Sequence, residues 1–162
     1  ALTDKLTVEW TPPSDGPERP CVRVLRADGA DTGIAFHGVP GGHEFNSFVV
    51  GLYNAAGPGQ SIDPALAEAI AAIDRPLDLQ IVVALSCTMC PELVIAAQKI
   101  AASNPLVTAK VYDVNHFPEL RERYKIMSVP CLIINKAKVA FGKKTLGQLL
   151  ELLAEPESGQ TG

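Results

Sequence analysis

The sequence predicts an α/β protein: a mixed central sheet flanked by helices, laid down as two related units of which the first is incomplete. Three observations carry this expectation. From Leu77 onward, apolar runs and helical patterns follow one another in the order β-α-β-α-β-β-α. The mostly apolar run Leu77 to Leu85 leads into Cys87-Thr88-Met89-Cys90, and a helical pattern begins at once. Finally, the pattern Pro-Cys-strand, turn, strand with Ala-Phe, helix occurs twice, starting at Pro20 and again at Pro130.

In chain order, Leu6, Val8 and Trp10 alternate and predict a short strand. A proline-rich loop, Thr11 to Pro20, separates it from a strand over Cys21 to Arg26. The turn residues Ala27-Asp28-Gly29-Ala30-Asp31 lead to a second hairpin arm, Ile34 to His37. His43 to Ala56 carries Phe45, Phe48, Val49 and Leu52 at helical spacing, and Gly57-Pro58-Gly59 ends it. Ser61 to Ile73 predicts a second helix, with Asp63 as N-cap and Pro64 in the first helical position.

The strand Leu77 to Leu85 and the helix after Cys90 follow, the latter with Leu93, Ala97, Ile100 and Ala101 in register and Ser103-Asn104-Pro105 as its stop. Leu106 to Tyr112 is a strand, and Asn115 is expected to cap a short helix over His116 to Tyr124. Cys131 to Ile134 and Val139 to Phe141 make a hairpin, and Thr145 to Ala154 a closing helix. The chain therefore divides into a partial unit without a cysteine pair (1–60), a connecting helix and loop (61–76), a complete unit (77–154) and a polar linker (155–162). In the repeat, Leu6 to Trp10 corresponds to Leu106 to Tyr112, and the first strand and Cys-containing helix of the first unit are absent.

Composition narrows the function. The 162 residues carry a net charge of -4, which points to neither nucleic acid nor an anionic membrane as a partner. No apolar run is long enough to span a bilayer, and there is no signal-peptide pattern. Four unevenly spaced cysteines do not make a secreted disulfide scaffold, so a reducing cytoplasm is the expected location.

The chemistry concentrates at Cys87 and Cys90. A Cys-x-x-Cys that closes a strand and opens a helix reads as a thioredoxin-like redox motif, and the element order is the thioredoxin or glutaredoxin plan. Unpaired N–H groups and the helix dipole favour a thiolate at the first sulfur, and the second lies about one turn on, near enough to close a disulfide. Pro91 costs nothing in the first turn. Two buried thiols, a purely structural disulfide, or half of a zinc site remain the alternatives to redox chemistry.

With motif and repeat together, the chain resembles the N-terminal domain of the flavoprotein subunit of alkyl hydroperoxide reductase, which has two fused thioredoxin-like folds. The matching stretches are Gly42-His43-Glu44-Phe45, Leu85-Ser86-Cys87-Thr88-Met89-Cys90-Pro91, Ser103-Asn104-Pro105 and Val129-Pro130. The resemblance covers about Asp4 to Leu153. It implies a dithiol–disulfide relay that takes electrons from a thioredoxin-reductase-like flavoprotein module, with FAD and NADH or NADPH, and hands them to a peroxiredoxin disulfide. It also implies that this chain, which begins at Ala1 and has neither the strand and helix expected before Leu6 nor a flavoprotein part, is a fragment or a shortened relative.

Roles follow on these terms. Cys87 attacks and Cys90 resolves. Glu44, by resemblance, reaches from the first fold to the redox pair as acid/base, because Gln80 to Leu85 carries no acid and Asp78 stands at the far end of that strand; the alternative is an acid complementing a helix dipole. Val129-Pro130 is expected to be a cis peptide facing the pair, with the Val129 backbone open to a partner strand, rather than a trans turn, and Arg19-Pro20 a vestigial cis counterpart. Thr88 and Met89, between the cysteines, complete the partner-binding surface, unless Met89 is merely a surface methionine. Cys131 is expected in the core beside the redox pair, and His37, His43 and His116 show no metal-ligand pattern. A free-standing tandem disulfide oxidoreductase is the rival within redox chemistry; a metal-binding or redox-inactive interaction domain is the rival outside it.

Overall fold

A computed structural model describes residues 5–12 and 18–156. The described residues form one six-stranded sheet in the order β1-β2-β4-β3-β5-β6. Its strands are β1 (Cys21–Leu25), β2 (Asp31–His37), β3 (Leu77–Val83), β4 (Val107–Asp113), β5 (Cys131–Ile134) and β6 (Lys138–Phe141). The central strands β2, β4 and β3 are parallel, and the two hairpins add antiparallel edges. The helices are α1 (Glu44–Ala56), α2 (Pro64–Ala71), α3 (Cys90–Ser103), α4 (Pro118–Tyr124) and α5 (Leu146–Ala154).

Strand alternation sorts the core into two layers. Leu79, Ile81, Val83, Leu132 and Ile134 face a cluster completed by Leu93, Ala97 and Ile100 of α3, Ile70 of α2 and Leu149, Leu150 and Leu153 of α5. Val82, Tyr112, Cys131 and Ile133 face the other layer, closed by Phe117 and Leu120. The predicted apolar stripe of α3 is thus the stripe that is buried. Each fully buried Leu or Ile contributes about 1.5–3 kcal/mol relative to exposure. Asp63 caps α2 by accepting from the Ala65 N–H at 2.8 Å, and Thr145 with Gln148 closes a capping box on α5.

Three expectations need correction. Leu6 to Trp10 is not a strand: Val8 is 90% and Trp10 83% exposed, and β1 pairs only with β2. Alternation marks a strand only where one face has something to be buried against. Asn115 does not cap α4, which begins at Pro118; Asp113 organises the turn instead, its side chain accepting from the Asn115 N–H at 3.0 Å and its carbonyl from those of His116 and Phe117. Cys131 lies in the layer opposite the one that holds Cys90, so it is not beside the redox pair. Part of the proline-rich loop and most of the expected linker lie outside the described residues.

Candidate functional site

The parallel strand β3 delivers the chain to Leu85, and a tight turn, closed by the Cys87 N–H donating to the Ala84 carbonyl at 2.9 Å, presents Cys87 before α3 begins. Cys87 and Cys90 are joined in a disulfide, with Cα atoms 5.6 Å apart. Cys87 is half-buried and Cys90, the first residue of α3, is fully buried. The asymmetry assigns access to one sulfur and protection to the other. Thr88 and Met89 between them are exposed.

The loop before β5 closes the site from the other side. Val129-Pro130 is cis, and the Val129 carbonyl oxygen lies 3.9 Å from the Cys87 sulfur. Met127, in this loop, is 91% exposed, and Met89, between the cysteines, is 53% exposed. Arg19-Pro20, immediately before β1, is also cis.

Glu44 reaches this region through backbone contacts. The His43 N–H donates to the Leu85 carbonyl at 3.0 Å, pinning the start of α1 to the residue that leads into the cysteines. Gly42 permits the approach: it has φ +54°, and a Cβ there would strike the Leu85 carbonyl. Further along, Gly51 of α1 lies against the Gln98 side chain of α3. Counting back from this contact at about 1.5 Å per residue, Glu44 lies about 10 Å before Gly51 and Cys90 about 12 Å before Gln98. The two helices run the same way, so the first turn of α1 is level with the first turn of α3.

Glu44 is 0% exposed. Ser47 donates a hydrogen bond to its Oε2, and Oε1 has no partner among the described residues. Burial raises the carboxyl from 4.5 to about 7, against which the Ser47 hydrogen bond pulls only partly back. Glu44 is the acid of the first turn of α1, where a carboxylate complements the helix dipole, and there it is desolvated. Ser47 carries no motif of its own in the sequence; its signal is the spacing, since a residue three positions after Glu44 on a helix is its natural neighbour. Asp78, by contrast, accepts from Thr108 and pairs with Lys110 at the far end of β3.

Substituting Gly42 is expected to loosen this arrangement. Gly42→Ala forces a left-handed residue into contact with backbone, at a cost of about 1–3 kcal/mol. Denaturant unfolding should show that loss, and disulfide exchange should slow in the fraction still folded because α1 is pushed off Leu85.

A disulfide at the mouth of a helix, fed by a central parallel strand and faced by a cis-proline loop, defines a thiol–disulfide oxidoreductase of the thioredoxin fold. Residues 77–154 match the thioredoxin domain family. The chain belongs with the N-terminal domains of AhpF, the F component of alkyl hydroperoxide reductase. It is 34% identical over 98% of its length to the alkyl hydroperoxide reductase F component of Pseudomonas aeruginosa. It is 29% identical over 93% of its length to "NADH dehydrogenase" of Bacillus subtilis. The crystal structure of the N-terminal domain of Enterococcus faecalis AhpF is similar with a TM-score of 0.81 and 42% identity, over 85% of this chain and 66% of that one. The chain spans 29% of the length of each of the two full relatives.

Among the described residues, no helix is long and apolar enough to cross a membrane, and no group of three or more His, Cys, Asp or Glu could hold a metal ion.

Proposed function

We propose that this chain is the relay in a peroxide-reducing system: its dithiol reduces a peroxiredoxin disulfide, and a flavoprotein reductase module regenerates it. The observation that carries the reading is the division of labour at Cys87 and Cys90, one sulfur accessible and one buried, at the N-terminus of α3. In the forward direction the Cys87 thiolate attacks the partner disulfide, forming a mixed disulfide and expelling one partner thiolate. Cys90 gives its proton to Glu44 and attacks Cys87, releasing the second partner thiol and closing the internal disulfide. Two electrons pass to the partner. Regeneration runs this in reverse, with protonated Glu44 supplying the proton that Cys90 needs as it leaves.

The first unit, 1–60, serves the second by bringing Glu44 to the pair. Val129 and Pro130, with Thr88 and Met89 opposite, form the surface against which the partner's cysteine segment lies, and Met127 extends its apolar rim. FAD and NADH or NADPH belong to the reductase module. The chain has no G-x-G-x-x-G opening a helix after a strand to bind a nicotinamide dinucleotide itself. The names of the relatives, an alkyl hydroperoxide reductase component and an NADH dehydrogenase, support this assignment of donor and acceptor. A cytoplasmic location fits a dithiol that must be kept reduced.

The test is reconstitution. NADH or NADPH alone should leave Cys87–Cys90 oxidised, and adding a thioredoxin-reductase-like flavoprotein should reduce it. The reduced chain should then convert an oxidised peroxiredoxin to its dithiol, mole for mole. Failure to react with any peroxiredoxin disulfide, while small disulfides are still reduced, overturns the partner and leaves a general disulfide oxidoreductase.

A further inference from the structure

A second sulfur, that of Cys21, meets a histidine between β1 and β2. The register of the sheet aligns Cys21 with His37, His37 with Tyr112, Tyr112 with Val82 and Val82 with Cys131. At the β1 end of this row, the Cys21 sulfur is 3.9 Å from His37 Nε2. His37 Nδ1 lies 2.7 Å from the Glu18 carbonyl oxygen. A carbonyl can only accept, so Nδ1 carries the proton and neutral His37 turns its Nε2 lone pair toward the Cys21 thiol. The ring cannot turn away. It stacks on Tyr112 with centroids 4.3 Å apart and planes 4° from parallel, and meets the edge of Phe117 at 6.0 Å. His37 is buried, whereas Cys21 is half-buried on the edge strand. A nucleophile, a base within reach and a third group that orients the base are the parts of an activated thiol.

We propose that Cys21 and His37 form a reactive thiol site, separate from Cys87–Cys90, that captures small-molecule disulfides as a mixed disulfide. The Cys21 sulfur attacks one sulfur of the reagent while its proton passes to His37 Nε2. The reagent's S–S bond breaks, a Cys21–S–S–R bond forms, and the other half leaves as a thiolate that takes up the proton. Cys21 is oxidised and the departing sulfur is reduced. A disulfide suits such a site because its leaving group departs as a thiolate.

Nothing nearby can resolve the adduct. Cys131 stands four strand spacings away, about 19 Å, and Cys87 and Cys90 lie in the layer at the other face or at the helix mouth. The adduct therefore persists until an external thiol removes it.

The charged and titratable groups around the pair are Glu18, Arg19, Arg23, Asp31 and Lys110, with the Tyr112 hydroxyl. Burial dominates over them, raising the thiol and lowering the imidazole, so the neutral pair S–H···N is the resting form at pH 7. This separates the proposal from ordinary thiol reactivity. A lone thiol of raised pKa gains reactivity about tenfold per pH unit as its thiolate fraction grows. With His37 as base, the rate is nearly flat from about pH 7 to 8, because the imidazole is already neutral.

The experiment uses the oxidised protein, in which Cys21 and Cys131 are the free thiols and Cys131 is fully buried. Dithionitrobenzoate should find one fast thiol per chain, lost in Cys21→Ser, and oxidised glutathione should leave one adduct, mapped to Cys21. His37→Asn keeps an N–H for the Glu18 carbonyl but removes the base, and should slow the reaction at pH 7 by about 100-fold. Exchange at Cys87–Cys90 should not change in Cys21→Ser. An unchanged rate in His37→Asn overturns the proposal. So does a wild-type rate that climbs tenfold per unit from about pH 6 to 8, a reading that holds even if the His37 variant does not fold.

Discussion

Replacing Cys87 with serine is expected to abolish disulfide exchange, while Cys90→Ser is expected to leave a protein that attacks once and stalls. The difference follows from position. Cys87 is half-buried ahead of α3, within reach of a partner and of the N–H groups and dipole that stabilise a thiolate. Cys90 is fully buried in the first turn, so in the proposed mechanism it reacts only with what Cys87 has captured. Titration in a glutathione buffer should therefore show a two-electron couple in the wild type and none in Cys87→Ser. With an oxidised peroxiredoxin, Cys90→Ser should accumulate a covalent adduct visible on a non-reducing gel, and Cys87→Ser should not. An adduct that forms through Cys90 instead would reverse the assignment of attacking and resolving sulfur.

How much of this was legible in the sequence depends on the range of the interaction. Helix faces and strand order could be read because Leu93, Ala97, Ile100 and Ala101 repeat at helical spacing and Leu77 to Leu85 is nearly all apolar; both are local consequences of burial. The cysteine pair could be read because its chemistry depends on a strand-to-helix junction that is itself local. Leu6 to Trp10 misled because alternation states a preference for a half-buried strand without supplying the neighbour, and β1 pairs only with β2. Cys131 misled for a related reason. Alternation with Leu132 separates it from one layer, but which layer α3 covers is settled only by the crossover from β3 to β4. The Cys21–His37 contact depends on cross-strand register, and the unfavourable burial of Glu44 depends on Gly42 meeting Leu85, more than forty residues away. No local pattern encodes either.

Glu44→Gln gives the second large effect. The substitution keeps the size of the side chain and its acceptor for Ser47 but removes the proton site, and general acid–base catalysis of this kind is worth about 100-fold or more. In the proposed reaction that reduces the partner, Glu44 is the base, so the wild-type rate should rise with pH through about 7 and level off. In the direction that reduces Cys87–Cys90, it acts as an acid, and the rate should fall through the same range. Both inflections should vanish in Glu44→Gln. Ser47→Ala removes the hydrogen bond that lowers the carboxyl, so it should move both inflections to higher pH without abolishing them. Stability provides an independent check on the same group. Between the unfolded value near 4.5 and the folded value of about 7, the native state binds the extra proton, so folding stability contributed by Glu44 is present below 4.5 and is lost as pH rises through 7. Denaturation of Glu44→Gln should lack that decline. Identical rates and identical stability profiles in wild type and Glu44→Gln would leave Glu44 as a buried acid of the α1 start, with no part in proton transfer to Cys90.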